Sequence, residues 1–159
     1  MKREIIENPL KGLALAVGTG MLAGLAGTVA ITISQLIEMK LTDRAPSTTP
    51  VKAVSKVLDI KPTNKTNREK VSQEIHWTYG TVWGIPRGIM SMVGLQGWPA
   101  TLLHFTTIMG TALTLLPKLD VVPPVMEQEP KAIAIDALHH AVYALAAGLV
   151  YDAIDAEED

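Results

Sequence analysis

The sequence predicts an all-α membrane protein in which four transmembrane helices form two helical hairpins. Three observations lead to this fold class. The chain of 159 residues is 48% hydrophobic, and its charges gather between long apolar segments. Each of those segments has roughly the 20 residues that cross a bilayer core. We expect residues 1–159 to form a single membrane domain. A soluble bundle of four buried helices is the competing interpretation, which the polar residues of the second and fourth segments favour.

The first apolar segment, residues 12–37, carries no charged residue. It is longer than the roughly 7–15 residues of a signal-peptide core, so we interpret it as a span that is retained. Apolar residues surround the predicted helix without leaving a polar face, which is typical of a helix that contacts lipid rather than water.

The second and third segments are the most closely spaced pair. The second, residues 75–95, carries Arg87, and the third, residues 98–117, carries His104 and no formal charge. Only a few residues around positions 94–97 separate them, so we expect a tight turn between two antiparallel helices.

The fourth segment, residues 132–154, contains more polar side chains than the others, because Asp136, His139, His140 and Asp152 lie within it. Ionisable residues inside a membrane usually face the protein interior. We therefore expect this helix to contribute polar groups to the centre of the bundle.

Two polar connections, residues 38–74 and 118–131, separate these segments. Within the first, VKAVSKVLDI (residues 51–60) has apolar residues at helical spacing, which predicts a short amphipathic helix. Such a helix either lies on the membrane surface or caps the bundle. Its apolar positions are Val51, Val54, Val57 and Leu58.

Positive charges predict the orientation in the membrane. The two long connections lie on the same side and hold ten of the 14 Lys and Arg residues, whereas the N-terminal tail holds three. Cytoplasmic loops are enriched in Lys and Arg, so we expect the connections in the cytoplasm and both termini outside. The short basic N-terminal tail favours the opposite orientation.

A repeat links the second and fourth segments. HWTYGTVWG, which begins at His76, aligns without gaps on HAVYALAAG, which begins at His140, and the shared pattern is His-x-x-Tyr-small-x-x-x-Gly. This pattern predicts two hairpins duplicated in parallel orientation, with chance similarity among small residues as the alternative. The other aligned pairs are Tyr79 with Tyr143, Gly80 with Ala144, and Gly84 with Gly148.

Small residues recur every four positions in three of the four segments. In lipid, helices associate through close packing, and small residues at this spacing let two backbones approach. We expect a compact bundle whose remaining faces are available for a homo-oligomer or a larger membrane complex. The predicted packing residues are Gly20, Gly24, Gly80, Gly84, Gly88, Ala144 and Gly148.

Four ionisable residues are expected to converge in the cytoplasmic half of the bundle. Carboxylate and imidazole groups suit a divalent transition metal, and histidine also suits the iron of haem b. Alternatively, these groups hydrogen-bond to one another or line a path for protons or a solute. The four residues are Glu38, His76, Asp136 and His140. His139 is expected on a neighbouring face, and His104 away from the others.

Arg87 follows Pro86 in the middle of the second segment. Proline removes a helical hydrogen bond and leaves a carbonyl free, which a guanidinium can reach. Pairing with a carboxylate is a second possibility, and anion binding is a third. The repeat offers no counterpart, since Val150 and Tyr151 take the aligned positions.

The composition and motifs exclude several function classes. The chain has no cysteine, which excludes disulfides, thiolate metal sites and cysteine nucleophiles. A net charge of −2, without a basic stripe, argues against nucleic-acid binding. No nucleophile elbow, phosphate-binding loop or dinucleotide fingerprint is present. We expect a structural or accessory subunit or an interaction protein. A metal- or haem-binding protein is the alternative, and a small dimeric transporter is the third class.

Two features resemble a known family. Glu38 followed by RAPSTTP (residues 44–50), after a glycine-rich first span, is similar to a segment of small YagU-like bacterial inner-membrane proteins. The His-x-x-Tyr-Gly stretch from His76 is similar in style. The resemblance implies a polytopic protein of the bacterial inner membrane that is surrounded by lipid, and it implies no catalytic residue.

Overall fold

The computed structural model describes residues 8–45, 47, 49–58 and 65–157. These residues form six α-helices and one short 3₁₀ turn, and no strand occurs among them. The prediction of an all-α fold is therefore confirmed for this part of the chain. The helices are α1 (Pro9–Thr42), α2 (Thr49–Leu58), α3 (Lys65–Val82), α4 (Ile85–Met92), α5 (Gly97–Lys118) and α6 (Pro130–Glu157), and the 3₁₀ turn is Val125–Glu127.

Three of the described helices, α1, α5 and α6, are long and apolar enough to cross a membrane. They correspond to the first, third and fourth apolar segments of the sequence. Helix α6 packs most extensively against α1 and also contacts α5 and α4. The core of the bundle therefore lies between α1 and α6.

The second predicted span, residues 75–95, is not one continuous helix. A turn at Trp83 and Gly84 separates α3 from α4. The break follows from Pro86, whose nitrogen cannot donate to the preceding turn, and from Gly84, which weakens a helix by roughly 1 kcal/mol relative to alanine. The first half of α3 is also polar, so neither α3 nor α4 alone is a candidate span.

Helix α1 has a defined start and end. The Asn8 side chain accepts a hydrogen bond from the backbone N–H of Lys11 at 3.2 Å, and Pro9 occupies the first helical position, where a missing N–H costs nothing. The helix ends at Asp43, whose φ of 52° lies in the left-handed region. This conformation turns the chain away from the helix axis.

Helix α1 buries small residues and exposes large apolar ones, which is the reverse of a helix on the surface of a soluble protein. Its interior stripe is built mostly from small residues, whereas large apolar side chains point outward. In water such an outer surface would be a large exposed apolar patch, but lipid tails are as apolar as leucine, so this arrangement suits a bilayer. The buried residues include Gly12, Ala16, Gly20, Ala23, Gly24 and Gly27. The outward residues include Leu13, Leu22, Leu25, Val29, Ile33 and Leu36.

Glycine contacts hold α1 against α3 and α4. A Cβ atom added to Gly84 would collide with the Gly20 carbonyl and would lie 2.7 Å from the Cα of Gly24. Farther along α3, Gly80 packs directly on the side chain of Thr28. Residue numbers rise along α1 as they fall along the partner, so α3 and α4 run antiparallel to α1.

Helices α3 and α4 run parallel to α6. The Tyr143 hydroxyl donates to the Gly80 carbonyl, and Arg87 donates to Asp152, pairs that are 63 and 65 residues apart. The predicted repeat is aligned at an offset of 64 residues. Positions that the repeat aligns therefore lie at similar heights on neighbouring helices, and the duplication itself stays a prediction.

Two shorter predicted elements are present. The amphipathic helix predicted over residues 51–60 begins at Thr49 as α2 and packs against α3; positions 59 and 60 lie outside the described residues. Between α4 and α5, Gly94 and Gly97 have φ values of 81° and 61°, which glycine adopts without steric cost. These glycines allow the chain to reverse within a few residues.

Candidate functional site

A cavity of about 1080 Å³ lies between α1, α3, α5 and α6, and residues of α2 also line it. Ligand-binding pockets typically enclose roughly 300–1,000 Å³, so this volume is sufficient for a small molecule. The charged lining residues gather at the end that joins the two long connections. The apolar wall includes Ile31, Trp83, Ile108, Leu113 and Leu116.

Glu38 and Arg44 form an ion pair at the polar end of the cavity. The Glu38 carboxylate accepts hydrogen bonds from Arg44 Nη2 at 2.7 Å and Nε at 3.0 Å, and from the Thr42 hydroxyl at 2.9 Å. The hydrogen bond to this carboxylate raises the pKa of Arg44 above its ordinary value, because it favours the charged guanidinium. The pair is neutral as a unit and leaves little unused hydrogen-bonding capacity on Glu38.

His139 lies beside this ion pair and is almost completely buried, at 2% exposure. Its Nδ1 is 2.8 Å from the Ser34 hydroxyl. Its Nε2 lies 3.8 Å from Glu38 Oε2, which is too far for a hydrogen bond, and has no hydrogen-bond partner. His139 is therefore a lining residue of the cavity whose Nε2 is buried and unpaired.

His76 contributes to the same wall through a bond to α1. Its Nε2 is 2.9 Å from the Thr32 hydroxyl, which itself donates to the Thr28 carbonyl at 2.6 Å. Because the single hydroxyl hydrogen of Thr32 is used in that second bond, His76 Nε2 must be the donor. The imidazole is thus held in one tautomer across the α1–α3 contact.

The four residues predicted as metal or haem ligands all line this cavity, but their local partners differ. His140 Nδ1 donates to the backbone carbonyl of Asp136 at 2.8 Å and lies 3.5 Å from the Asp136 carboxylate. The structure places His139, rather than His140, beside Glu38. Within the described ranges, no group of three or more His, Asp or Glu side chains is arranged to hold a metal ion.

Arg87 lies toward the opposite end of the bundle and is fully buried. It pairs with the carboxylate of Asp152, which is one of the partners that the sequence leaves open. The guanidinium carbon also lies 4.4 Å from the centre of the Tyr151 ring, a cation–π contact that stabilises a desolvated cation. Tyr151 is the residue that aligns with Arg87 in the predicted repeat, so the two divergent positions contact each other.

Asp155 extends this polar network by one turn of α6. Its Oδ2 accepts a hydrogen bond from Gln96 at 2.7 Å and lies 3.5 Å from the Ser91 hydroxyl. These contacts tie α6 to α4 and to the turn that follows it. We call the end of the bundle that holds this polar network the closed end, and the end that holds the cavity the open end. The closed end consists of Arg87, Ser91, Gln96, Tyr151, Asp152 and Asp155.

The His104 side chain satisfies a free backbone carbonyl at the helix break. At this turn the backbone N–H of Arg87 bonds to the Gly84 carbonyl, which leaves the Trp83 carbonyl without its usual helical partner. His104 Nε2 donates to that carbonyl at 2.7 Å, and the side chain is fully buried. His104 is not among the residues that line the cavity, and its bond satisfies a buried backbone group.

No family model, curated protein or solved structure matches this chain. The resemblance to YagU-like proteins therefore stays a prediction.

Sequence reasoning singled out ionisable residues and missed the neutral polar ones that hold them. Thr32 and Ser34 fix the histidines of the cavity, and Thr28 anchors Gly80. A signal was present, because hydroxyl and amide side chains recur toward the end of an otherwise apolar first segment, including Gln35. Such residues on a membrane helix indicate a polar interior wall.

Proposed function

We propose that α3 and α4 together form a fourth, broken transmembrane segment. Contacts along α1 extend from Gly88, which packs on Ala16, to His76, which bonds Thr32. At 1.5 Å rise per residue this contact covers about 24 Å of α1, so α3 and α4 share the depth of the most apolar helix. Broken helices are tolerated in membranes where neighbouring groups satisfy the freed backbone, as His104 does here.

Single cysteines test this crossing, because the natural chain contains none. We propose that the protein resides in the bacterial inner membrane with the open end toward the cytoplasm, on the basis of the Lys and Arg excess in the long connections. A membrane-impermeant maleimide should then label Val93→Cys in intact cells and Ser47→Cys only after lysis. Labelling of both positions from the same side would contradict the crossing, and the reverse pattern would contradict only the orientation.

We propose that the protein is a membrane-embedded binding protein for a small membrane-soluble molecule. The observation that carries this proposal is the cavity, which lies between α1, α3, α5 and α6 and is lined by both apolar and polar side chains. This function differs from the structural or accessory role expected from the sequence, because the proposed partner is a small molecule. We assign no reaction to it.

Native mass spectrometry of the full chain, released from mild detergent, tests this function. Ala112 lines the cavity, whereas Leu102 on the same helix is 63% exposed. Ala112→Trp should remove a small-molecule mass that co-purifies with the natural protein, and Leu102→Trp should retain it. A bare natural protein that also fails to take up added lipid extract would contradict the proposal.

The same spectra address the other expected partners. A homo-oligomer or a larger membrane complex would add protein mass, and a metal ion or haem b would add its own characteristic mass. The accessory-subunit, metal-binding and transporter functions stay predictions until such masses are measured.

A further inference from the structure

We propose that the occupant of the cavity is one acyl chain of a bilayer phospholipid, which enters from the side through the gap between α3 and α5. This inference rests on the proposed binding function and on the proposed membrane crossing of α3 and α4. It names the chemistry of the ligand and its route. Its basis is the way in which the helix break changes the packing of the bundle along its length.

The two halves of the broken segment pack differently. Helix α4 contacts α1, α5 and α6, so four helices are packed together at the closed end. Helix α3 keeps the contact with α1 and also packs on α2, but in the described ranges it makes no extensive contact with α5. Because α3 and α5 both line the cavity, the cavity occupies the space that opens between them beyond the break.

The gap between α3 and α5 begins at the helix break. There the Trp83 carbonyl bonds His104 of α5 at 2.7 Å, which holds α5 to the broken segment. Toward the open end, Tyr79 of α3 is 54% exposed and Leu115 of α5 is 45% exposed, and both side chains line the cavity. These two residues therefore mark the two sides of the gap.

The gap begins at the depth of the bilayer hydrocarbon. The break lies beside Gly20 and Gly24, near the middle of α1, which is the most apolar candidate span. Helix α5 is also a candidate span, and its Leu102 and Leu103 are exposed. A side opening between helices at this depth meets lipid chains rather than water.

The lining of the cavity matches a lipid chain. Apolar side chains such as Ile31, Ile108 and Leu116 share the lining with Trp83, whereas the charged lining residues gather at the end that joins the long connections. An acyl chain gains dispersion contacts with such a wall and requires no hydrogen bond from it. The head group stays at the charged end, near the membrane interface, so no charge has to enter the apolar part.

Helix α2 covers the other approach to the cavity. Its Ala53 and Val54 line the cavity, and the helix packs on α3. Lys56 of the same helix pairs with Asp120, just after α5, at 3.4 Å. Helix α2 therefore connects α3 to the end of α5 across the open end, and the side gap is the route that it leaves free.

Quenching of Trp83 by a phospholipid with a dibrominated acyl chain tests the occupant. The full chain is placed in vesicles of phosphatidylethanolamine and phosphatidylglycerol, and Trp77→Phe with Trp98→Phe leaves Trp83 as the one tryptophan. Ala112 lines the cavity, whereas Leu102 on the same helix is 63% exposed. Ala112→Phe should lose the part of the quenching that arises in the cavity, and Leu102→Phe should keep it. We call that part the cavity quenching.

Cysteine bridges test the route, because the natural chain has no cysteine. A bifunctional maleimide that joins Tyr79→Cys to Leu115→Cys, applied before vesicle fusion delivers the brominated lipid, should abolish the cavity quenching. The control bridge joins Lys56→Cys to Asp120→Cys, which fixes α2 over the open end, and should leave the cavity quenching unchanged. Each single cysteine treated with the same reagent should also leave it unchanged, which excludes an effect of the reagent alone.

The outcomes separate the route, the occupant and the binding function. Cavity quenching that is blocked by the α2 bridge, or by neither bridge, would overturn entry from the side. Equal quenching with and without Ala112→Phe would overturn the acyl chain as the occupant. Either result leaves the binding function standing if native mass spectrometry still detects a small-molecule mass that depends on the cavity, and absence of that mass as well would overturn both.

Discussion

The two ends of the bundle contain similar side chains but use them differently. At the closed end, Arg87 of α4 pairs with Asp152 of α6, and Asp155 of α6 accepts a hydrogen bond from Gln96 in the turn after α4. At the open end, Glu38 pairs with Arg44, which lies only six residues away. The closed end thus uses its charges to join helices, whereas the open end neutralises a charge locally and leaves the space between helices free.

This difference indicates that one end of the bundle joins the helices while the other leaves a cavity between them. The closed end and the glycine contact at Gly84 fix the helices relative to one another. Glu38, His76 and His139 of the open end then contribute less to stability, because their partners lie on the same segment or are hydroxyl groups on α1. Measurements of unfolding in detergent can test this division.

The largest loss of stability is expected for Asp152→Ala at the closed end. Removal of the carboxylate leaves Arg87 buried without its charge partner, which should lower the free energy of unfolding by about 3 kcal/mol, the lower end for such pairs because Asp152 is 35% exposed. Lys56→Ala is the matched control, since its pair with Asp120 is largely exposed, and should cost at most about 1 kcal/mol. Equal losses would contradict the structural role of the closed end.

The next largest loss of stability is expected for Gly84→Ala, because Gly84 packs closely on α1. Its Cβ would meet the backbone of Gly20 and Gly24, and overpacking of this kind typically costs about 1–3 kcal/mol. At Gly18 of α1 nothing lies within 4 Å of an added Cβ, so Gly18→Ala should be neutral or stabilise the protein by up to about 1 kcal/mol. A Gly84→Ala protein as stable as Gly18→Ala would refute the close approach of α1 and α4.

A moderate loss is expected for His104→Leu. The Trp83 carbonyl would become a buried acceptor without a partner, at a cost of about 1–2 kcal/mol measured by denaturant unfolding. His140→Leu provides the comparison at the open end, where the histidine bonds a carbonyl of its own helical turn. We expect that variant to be clearly more stable than His104→Leu, and the opposite order would remove the distinction between the two ends.

The smallest effect on unfolding is expected for Arg44→Ala at the open end. The side chain is 42% exposed and bonds a neighbouring turn of the same segment, so solvent screens much of the interaction. Its melting temperature should lie closer to that of the natural protein than those of Asp152→Ala, Gly84→Ala and His104→Leu. A loss as large as that of Asp152→Ala would show that the open end also supports the fold.

Much of the fold could be predicted from local properties of the sequence. Long apolar segments with few or no charges identified α1, α5 and α6, and helical spacing of valines identified α2. The break at Gly84 was harder to predict, although Pro86 was noted, because proline permits either a kink or a full interruption of a helix. The outcome depended on whether a neighbour could satisfy the freed backbone, and that neighbour, His104, lies 21 residues away.

The candidate site was predicted in composition but not in arrangement. Glu38, His76, Asp136 and His140 were correctly assigned to one region and do line one cavity. Which histidine faces Glu38 depends on the rotation of α6 about its axis, and neighbouring residues such as His139 and His140 differ by about 100° in direction. A sequence pattern without a polar face does not define that rotation.

By itself, the sequence determined that this protein is helical, that it has long apolar segments, and that its small and polar residues are concentrated on a few of them, because these properties depend on residue type and spacing along the chain. Only the tertiary structure decided that Arg87 pairs with Asp152, that His139 lies beside Glu38 with Nε2 lacking a hydrogen bond, and that a cavity remains between the helices. These features depend on the rotation and register of helices that are distant in sequence, which are determined by the packing of α6 against the glycine-joined α1, α3 and α4.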